Sequence, residues 1–330
     1  MTTIPATMLA AEVRDGRGPA SALTTAHIAT PGPGPGEILI AVRAAGVNRP
    51  DILQRLGFYP PPPGAPSTLG LEVAGEVVAV GANAPRWQVG DRVCALVGGG
   101  GYAQYVVVDA RHALPIPGAL DFIQAAGLPE TVFTVFANVF EHGALKAGET
   151  LMVHGATSGI GVAAIQMAKA AGARVIATAR GADKAAQART LGADLAIDTT
   201  TEDFTAAALA FGGVDVILDM VGGDFCQKGL DSLKPGGRIV YIAFQAGGRV
   251  EIDLQKIMQR RLTLTGSTLR PRSADEKARI GAAVEATVWP WVAAGQVRSV
   301  IDRTFPLTQA ADAHAWLEGG AHVGKVVLVP

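Results

Sequence analysis

The sequence predicts an α/β protein in two parts, a β-rich part and a doubly wound parallel sheet. Three observations predict it. A glycine-rich turn, His154-Gly155-Ala156-Thr157-Ser158-Gly159-Ile160-Gly161, joins an apolar strand pattern at Leu151–Val153 to a helical pattern starting at Val162. From about Asp121 onward, apolar β-branched runs alternate with helical segments, which implies a parallel sheet covered on both faces. Before that point, short strand patterns alternate with turn residues. With 330 residues, nearly half of them apolar, there is room for about two domains with a sizeable core.

In the first part, strand patterns run over Glu37–Val42, Val73–Val80 and Tyr105–Val108. Pro31–Gly36 alternates Pro with Gly, which excludes a helix or an interior strand and makes it an exposed connection. Pro60–Pro63 reads as a stiff loop and Gly98–Gly101 as a flexible one. In the second part, strands are predicted at Leu151–Val153, Arg174–Thr178, Leu195–Ile197, Val214–Asp219, Arg238–Ala243 and Leu262–Gly266. Six such strands suit a dinucleotide-binding sheet with its ligand at the carboxyl ends. A helix near Ala274–Ala294 and a strand-like tail, Lys325–Val329, are expected to return to the first part.

Composition narrows the function classes. A net charge of −1 argues against a broad phosphate-binding surface, and so against nucleic acid as the main partner. Cys94 and Cys226 are the only cysteines, so no disulfide framework and no cysteine-rich zinc site is expected; packing roles suit both. The N-terminus shows no basic region followed by an apolar stretch, which predicts no signal peptide and a cytoplasmic location. The most apolar long window, Gly161–Ala179, is broken by Lys169 and Arg174, so it reads as a buried helix and strand rather than a membrane span.

The glycine-rich turn carries the chemistry. Backbone N–H groups at a strand–helix turn and the positive end of the helix dipole together suit a pyrophosphate. Its small positions are Ala156, Ser158 and Gly161, and Ala156, Ser158, Gly159, Ile160 and Gly161 are expected to line the phosphates. A tight strand–helix turn without a ligand is the alternative. At the end of the next strand, Thr178-Ala179-Arg180-Gly181 has no carboxylate at the tip for a ribose 2′-hydroxyl, and Asp183 comes late. Arg180 and Lys184 are placed instead to meet a 2′-phosphate, which predicts NADPH over NADH; solvated charges at a helix start are the other reading.

Several segments then resemble a known family. Ala45-Gly46-Val47-Asn48-Arg49-Pro50-Asp51, Tyr59-Pro60-Pro61-Pro62-Pro63-Gly64 and Leu69-Gly70-Leu71-Glu72-Val73-Ala74-Gly75 resemble the medium-chain dehydrogenase/reductase superfamily. So do Leu218-Asp219-Met220-Val221-Gly222-Gly223, Lys234-Pro235-Gly236-Gly237-Arg238 and Gly324-Lys325-Val326-Val327-Leu328. Within it the similarity is to the zinc-free NADPH:quinone oxidoreductases, in the subgroup related to the tumour-protein-inducible quinone oxidoreductase. The resemblance implies a GroES-like β-rich catalytic domain at residues 1–127 and 272–330 and a Rossmann NADPH-binding domain at 128–271, with the active site in the cleft. It also implies a homodimer or homotetramer.

The resemblance also bears on metal. Matched to the superfamily's zinc ligands, Cys, His and Cys, the corresponding positions are Asn48, Leu71 and Glu130, which do not make a tetrahedral zinc site. No metal is expected. Asn48 is then free to hydrogen-bond a ribose or substrate oxygen. Thr134 resembles the family threonine beneath the nicotinamide ribose, and Lys325 a family lysine near the cofactor; Thr199 stands where relatives carry a tyrosine. Val221 follows the fourth strand, Phe244 and Gln245 the fifth, and Ser267, Thr268 and Leu269 the sixth, all at the cofactor end. Tyr59 is the candidate aromatic lid, stacking on a planar acceptor and donating to a developing oxyanion, with anchoring of the proline loop as the alternative.

The expected activity is NADPH-dependent reduction of a quinone. The alternatives are reduction of a conjugated double bond in an enone, alkenal or enoyl thioester, and, in another class, a non-enzymatic NADPH-binding or RNA-binding protein. The implied partner is a small quinone or conjugated carbonyl compound.

Overall fold

The computed structural model describes residues 3–330. The chain divides into two compact units: one comprises the residues up to Phe133, Arg270–Ala293 and Arg298–Pro330, the other Thr134–Leu269 and Ala294–Val297. The first cut falls inside the helix Pro129–Val135. No helix among the described residues is long and apolar enough to cross a membrane.

The first unit starts with an antiparallel pair, β1 (Thr7–Val13) and β2 (Leu23–Ala29), which the sequence patterns do not announce. Next come β3 (Glu37–Val47), β4 (Glu72–Val80), β5 (Arg92–Leu96), β6 (Tyr105–Asp109) and β7 (Ala113–Pro115). β3 is longer than its apolar alternation suggests, because Ala44, Ala45 and Val47 stay buried through Gly46. A short helix, Arg49–Arg55, follows β3, with Pro50 in its first turn, where a missing N–H costs nothing.

The second unit is a parallel sheet of β8 (Thr150–His154), β9 (Arg174–Ala179), β10 (Leu195–Asp198), β11 (Val214–Asp219), β12 (Leu233–Tyr241) and β13 (Thr263–Gly266). Its spatial order is β10-β9-β8-β11-β12-β13. The order reverses at β8, the position at which doubly wound sheets take their ligand. β12 begins earlier than its apolar run, since Leu233 already pairs with Val214. A register shift before Arg238 then absorbs Pro235-Gly236-Gly237. The core beneath the strands includes Met152, Ile176, Ile197, Ile217, Leu230 and Ile239.

The helix Ala274–Thr287 and the strands β14 (Ile301–Pro306) and β15 (Lys325–Val329) belong again to the first unit. β15 pairs antiparallel with β3 and parallel with β14. The first unit's large sheet therefore runs β14-β15-β3-β4-β5-β7, with β6 also on β3. It encloses a core of Ile38, Ile40, Val73, Val77, Val106 and Leu328, among others.

Candidate active site

At the ligand end of the parallel sheet, β8 ends at His154 and the turn passes into the helix Gly159–Ala170. The Ser158 hydroxyl caps that helix by accepting from the Gly161 N–H at 3.0 Å, and the Ala156 N–H donates to the Thr178 carbonyl of β9 at 3.0 Å. The remaining first-turn N–H groups lie beyond the intrahelical ladder, as an anion site needs. Gly161 is required by space. A Cβ there would lie 2.5 Å from the Ala156 carbonyl oxygen and nearer still to that of Gly155. Gly161→Ala is therefore expected to force the turn open and lower stability by about 1–3 kcal/mol. A melting temperature equal to that of the wild type would show that the turn accommodates a methyl group.

At the tip of β9, Arg180 is exposed and Lys184 half-buried. Burial, and after it the neighbouring Arg180 charge, hold the Lys184 ammonium below its ordinary pKa. Asp198 stands at the end of β10, the strand next to β9. It is turned inward, accepting from the Gly181 N–H at 2.8 Å, the Thr200 N–H at 2.9 Å and the Thr200 hydroxyl at 2.7 Å. Those bonds hold it below the ordinary carboxylate range. Thr199 donates its hydroxyl to the Ala179 carbonyl.

The tips of β11 and β12 are laced together. The Ala246 N–H donates to the Val221 carbonyl at 2.7 Å and the Gly223 N–H to the Gly247 carbonyl at 2.9 Å. Asp219, buried, accepts from the Val221 and Gly222 N–H groups at 2.6 and 3.0 Å and so fixes the loop that carries Val221. Phe244 is 51% exposed and stacks on Tyr241; Gln245, beside it, is exposed. After β13, the Ser267 hydroxyl donates to Asn138 Oδ1 at 2.8 Å, and Asn138 Nδ2 donates to the Thr134 carbonyl at 2.8 Å. Thr134 and Ser267 are thereby tied through one amide. Thr268 is exposed and Leu269 buried. Asp198, Asp219 and Asn138 escape sequence reading because each works on backbone or on a side chain remote in sequence.

A second cluster lies wholly in the first unit. Glu72, fully buried on β4, accepts from the Lys325 ammonium at 2.6 Å and the Asn48 amide at 3.0 Å on Oε1, and from the Glu130 N–H at 2.9 Å on Oε2. Gly46 on β3 gives the Glu72 carboxylate its room, since a Cβ there would overlap Oε1. Lys325 donates further to Asn48 Oδ1 at 2.6 Å and to the Val47 carbonyl at 3.2 Å. Its three N–H groups are therefore spent inside this cluster. Lys325 is thus the counter-ion of Glu72. Asn48 is committed in the same way: its Nδ2 donates to Glu72 and to the Gly46 carbonyl.

Asp51 accepts from the Asn48 and Gly70 N–H groups and the Tyr102 hydroxyl, and burial raises its pKa to about 6. Tyr59 lies against Arg270, whose guanidinium carbon is 5.5 Å from the ring centroid. Arg270 is itself buried; its Nε donates to the Gly98 carbonyl at 3.0 Å, while its Nη2 has no acceptor among the described residues. Burial, then the Glu130 carboxyl, push the Tyr59 phenol above its ordinary pKa. Cys94 is fully buried and its thiol pushed far up by burial and by Glu72, so it is a packing residue.

The cluster does not fit zinc. Leu71 is a buried hydrocarbon, Asn48 has given its amide to other partners, and an ammonium already stands among the carboxylates. Among the described residues, no group of three or more His, Cys, Asp or Glu comes together to hold a metal.

Residues 34–118 match the family described as alcohol dehydrogenase GroES-like domain, and residues 191–328 the family described as zinc-binding dehydrogenase. The quinone oxidoreductase of Lama guanicoe is 32% identical over all of this chain and 99% of its own length. The quinone oxidoreductase of Pseudomonas aeruginosa is 34% identical over 90% of this chain and 92% of its own. Among solved structures, Escherichia coli quinone oxidoreductase in complex with NADPH superposes with a TM-score of 0.87, at 29% identity, over 98% of this chain and 100% of that one.

Proposed function

Because the chain belongs to the quinone oxidoreductase family of the medium-chain dehydrogenase/reductase superfamily, we propose that it reduces quinones with NADPH and without a metal ion. The observation that carries the cofactor is the Arg180–Lys184 pair at the tip of β9, next to the nucleotide turn, with Asp198 folded inward. In this reading Ala156, Ser158, Gly159, Ile160 and Gly161 receive the pyrophosphate, and Arg180 and Lys184 the 2′-phosphate. Thr134, Val221, Phe244, Gln245, Ser267, Thr268 and Leu269 surround the nicotinamide half.

When bound, NADPH supplies the hydride. The chain supplies position and electrostatics. The Tyr59 ring offers a flat face to a planar acceptor, and its phenol, held protonated, donates a hydrogen bond to the acceptor oxygen. Lys325, Glu72 and Asn48 form the buried floor that fixes this unit's loops. A quinone is electrophilic without a Lewis acid and its reduced oxygen is delocalised into an aromatic ring, whereas an alcohol is hard to deprotonate at neutral pH unaided. With Asn48, Leu71 and Glu130 at the ligand positions, quinone reduction is the chemistry this chain suits. We also read it as a cytoplasmic homodimer or homotetramer; its two unpaired cysteines agree with a reducing compartment.

The test is oxidation of NADPH, with NADH in parallel, against a small ortho-quinone and a conjugated enone, with and without chelator. Chelator-insensitive turnover of the quinone with NADPH is expected. Turnover confined to the enone would replace this reading with double-bond reduction.

A further inference from the structure

One carboxyl in the first unit has no task in the scheme above. Glu130 sits in the first turn of the helix Pro129–Val135. Its own N–H is clamped to Glu72 Oε2 at 2.9 Å, which fixes it beside a buried carboxylate. The Lys325 ammonium is already engaged with the other oxygen of Glu72. The Glu130 carboxyl itself has no hydrogen-bond partner among the described residues, yet keeps an edge open to solvent. A carboxyl that is enclosed, unpaired and reachable is placed to give up a proton rather than to hold a loop.

The charged groups around it come from every neighbouring element. Glu72 on β4 and Asp51 on the helix Arg49–Arg55 disfavour its ionisation; Lys325 on β15 and Arg270 favour it. It acts in turn on Tyr59 and on Lys277 of the helix Ala274–Thr287. Burial first and Glu72 second prevail over the cations and hold the Glu130 carboxyl up to about 8, so it carries its proton at neutral pH.

Resting on the quinone-reductase reading, we infer that Glu130 delivers the proton that completes reduction of the acceptor, while Tyr59 holds the acceptor ring. A quinone becomes a hydroquinone by gaining a hydride and one proton. As the two hydride electrons reach the acceptor, a new O–H bond forms at its oxygen and the Glu130 O–H bond breaks. The positive charges of Arg270 and Lys277 stabilise the carboxylate left behind until water returns the proton. Tyr59 stays protonated throughout; Glu130 is the group whose proton leaves.

Two readouts test this. Without cofactor, infrared titration of the wild type should show a protonated carboxyl band that disappears as pH rises through about 8 and is absent from Glu130→Gln. With NADPH and an ortho-quinone, wild-type kcat should fall over the same range. Glu130→Gln should lose that limb and turn over roughly 100-fold more slowly at pH 7, the lower end of what acid catalysis contributes. NADPH affinity, read by nicotinamide fluorescence, should be unchanged, showing the variant folded; Glu130→Asp should regain part of the rate. Wild-type kcat and an unchanged pH profile in Glu130→Gln would overturn the inference alone. A band that titrates in the ordinary carboxylate range would do the same. Absence of quinone turnover in the wild type would overturn the functional reading and the inference with it.

Discussion

Lys325→Met is expected to destabilise the protein by about 3–5 kcal/mol, the usual cost of stranding one member of a buried ion pair. The reason is local. Glu72 is fully buried, its cation among the described residues is Lys325, and the other polar groups on it are an amide and a backbone N–H. Removing the ammonium leaves an uncompensated carboxylate in the core of the first unit and strips donors from Asn48 and Val47. Adding Glu72→Gln to Lys325→Met removes the stranded charge, so the double variant should be more stable than Lys325→Met alone. Thermal unfolding of wild type, both single variants and the double variant forms a cycle. Strictly additive losses would mean that the pair is not an energetic unit.

Replacing Arg180 and Lys184 together by alanine is expected to raise KM for NADPH by roughly 10- to 100-fold while leaving KM for NADH nearly unchanged. Each charge-assisted hydrogen bond to phosphate is worth about 1.5–3 kcal/mol in favourable settings. Arg180 is exposed, so solvent and salt reduce that figure, which is why the combined effect is set at about 1.4–2.8 kcal/mol. The preference for NADPH should also shrink as ionic strength rises. Equal losses with both cofactors would assign the pair to the stability of the β9 tip instead. Asp198 makes that tip a rigid presenter, because it fastens Gly181 from below.

The parallel sheet is readable because its strands contain short apolar runs bounded by glycine or charged turns, although the start of β12 lies outside its run. β1 and β2 are not, since Thr7–Val13 and Leu23–Ala29 are rich in alanine and threonine without clean alternation. β14 was hidden by its polarity: Ile301–Pro306 is mostly exposed, so no apolar stripe marks it. The glycine turn and the Arg180–Lys184 pair are legible as candidates because each is a feature local in sequence. The partners of Lys325 are not legible in the sequence, because the opening residue of a strand says nothing about which acceptors the neighbouring strands bring to it. Glu130 was seen only as a position lacking a metal ligand. Its character as an acid depends on Glu72, Arg270 and burial, none of which is adjacent in sequence.

The division of the first unit between both ends of the chain sets an order of assembly. During synthesis, β3 and β4 emerge early, but β15, which covers β3 and carries Lys325, is made only after the entire second unit. The parallel sheet can close as soon as β13 is complete, whereas Glu72 has no counter-ion until the final strand arrives. The second unit therefore matures first and the Glu72 floor last. A nascent chain stalled or cut before β15 would hold a finished parallel sheet and an unfinished first unit, with the β3 edge at Ala45–Val47 left open to chaperones and proteases.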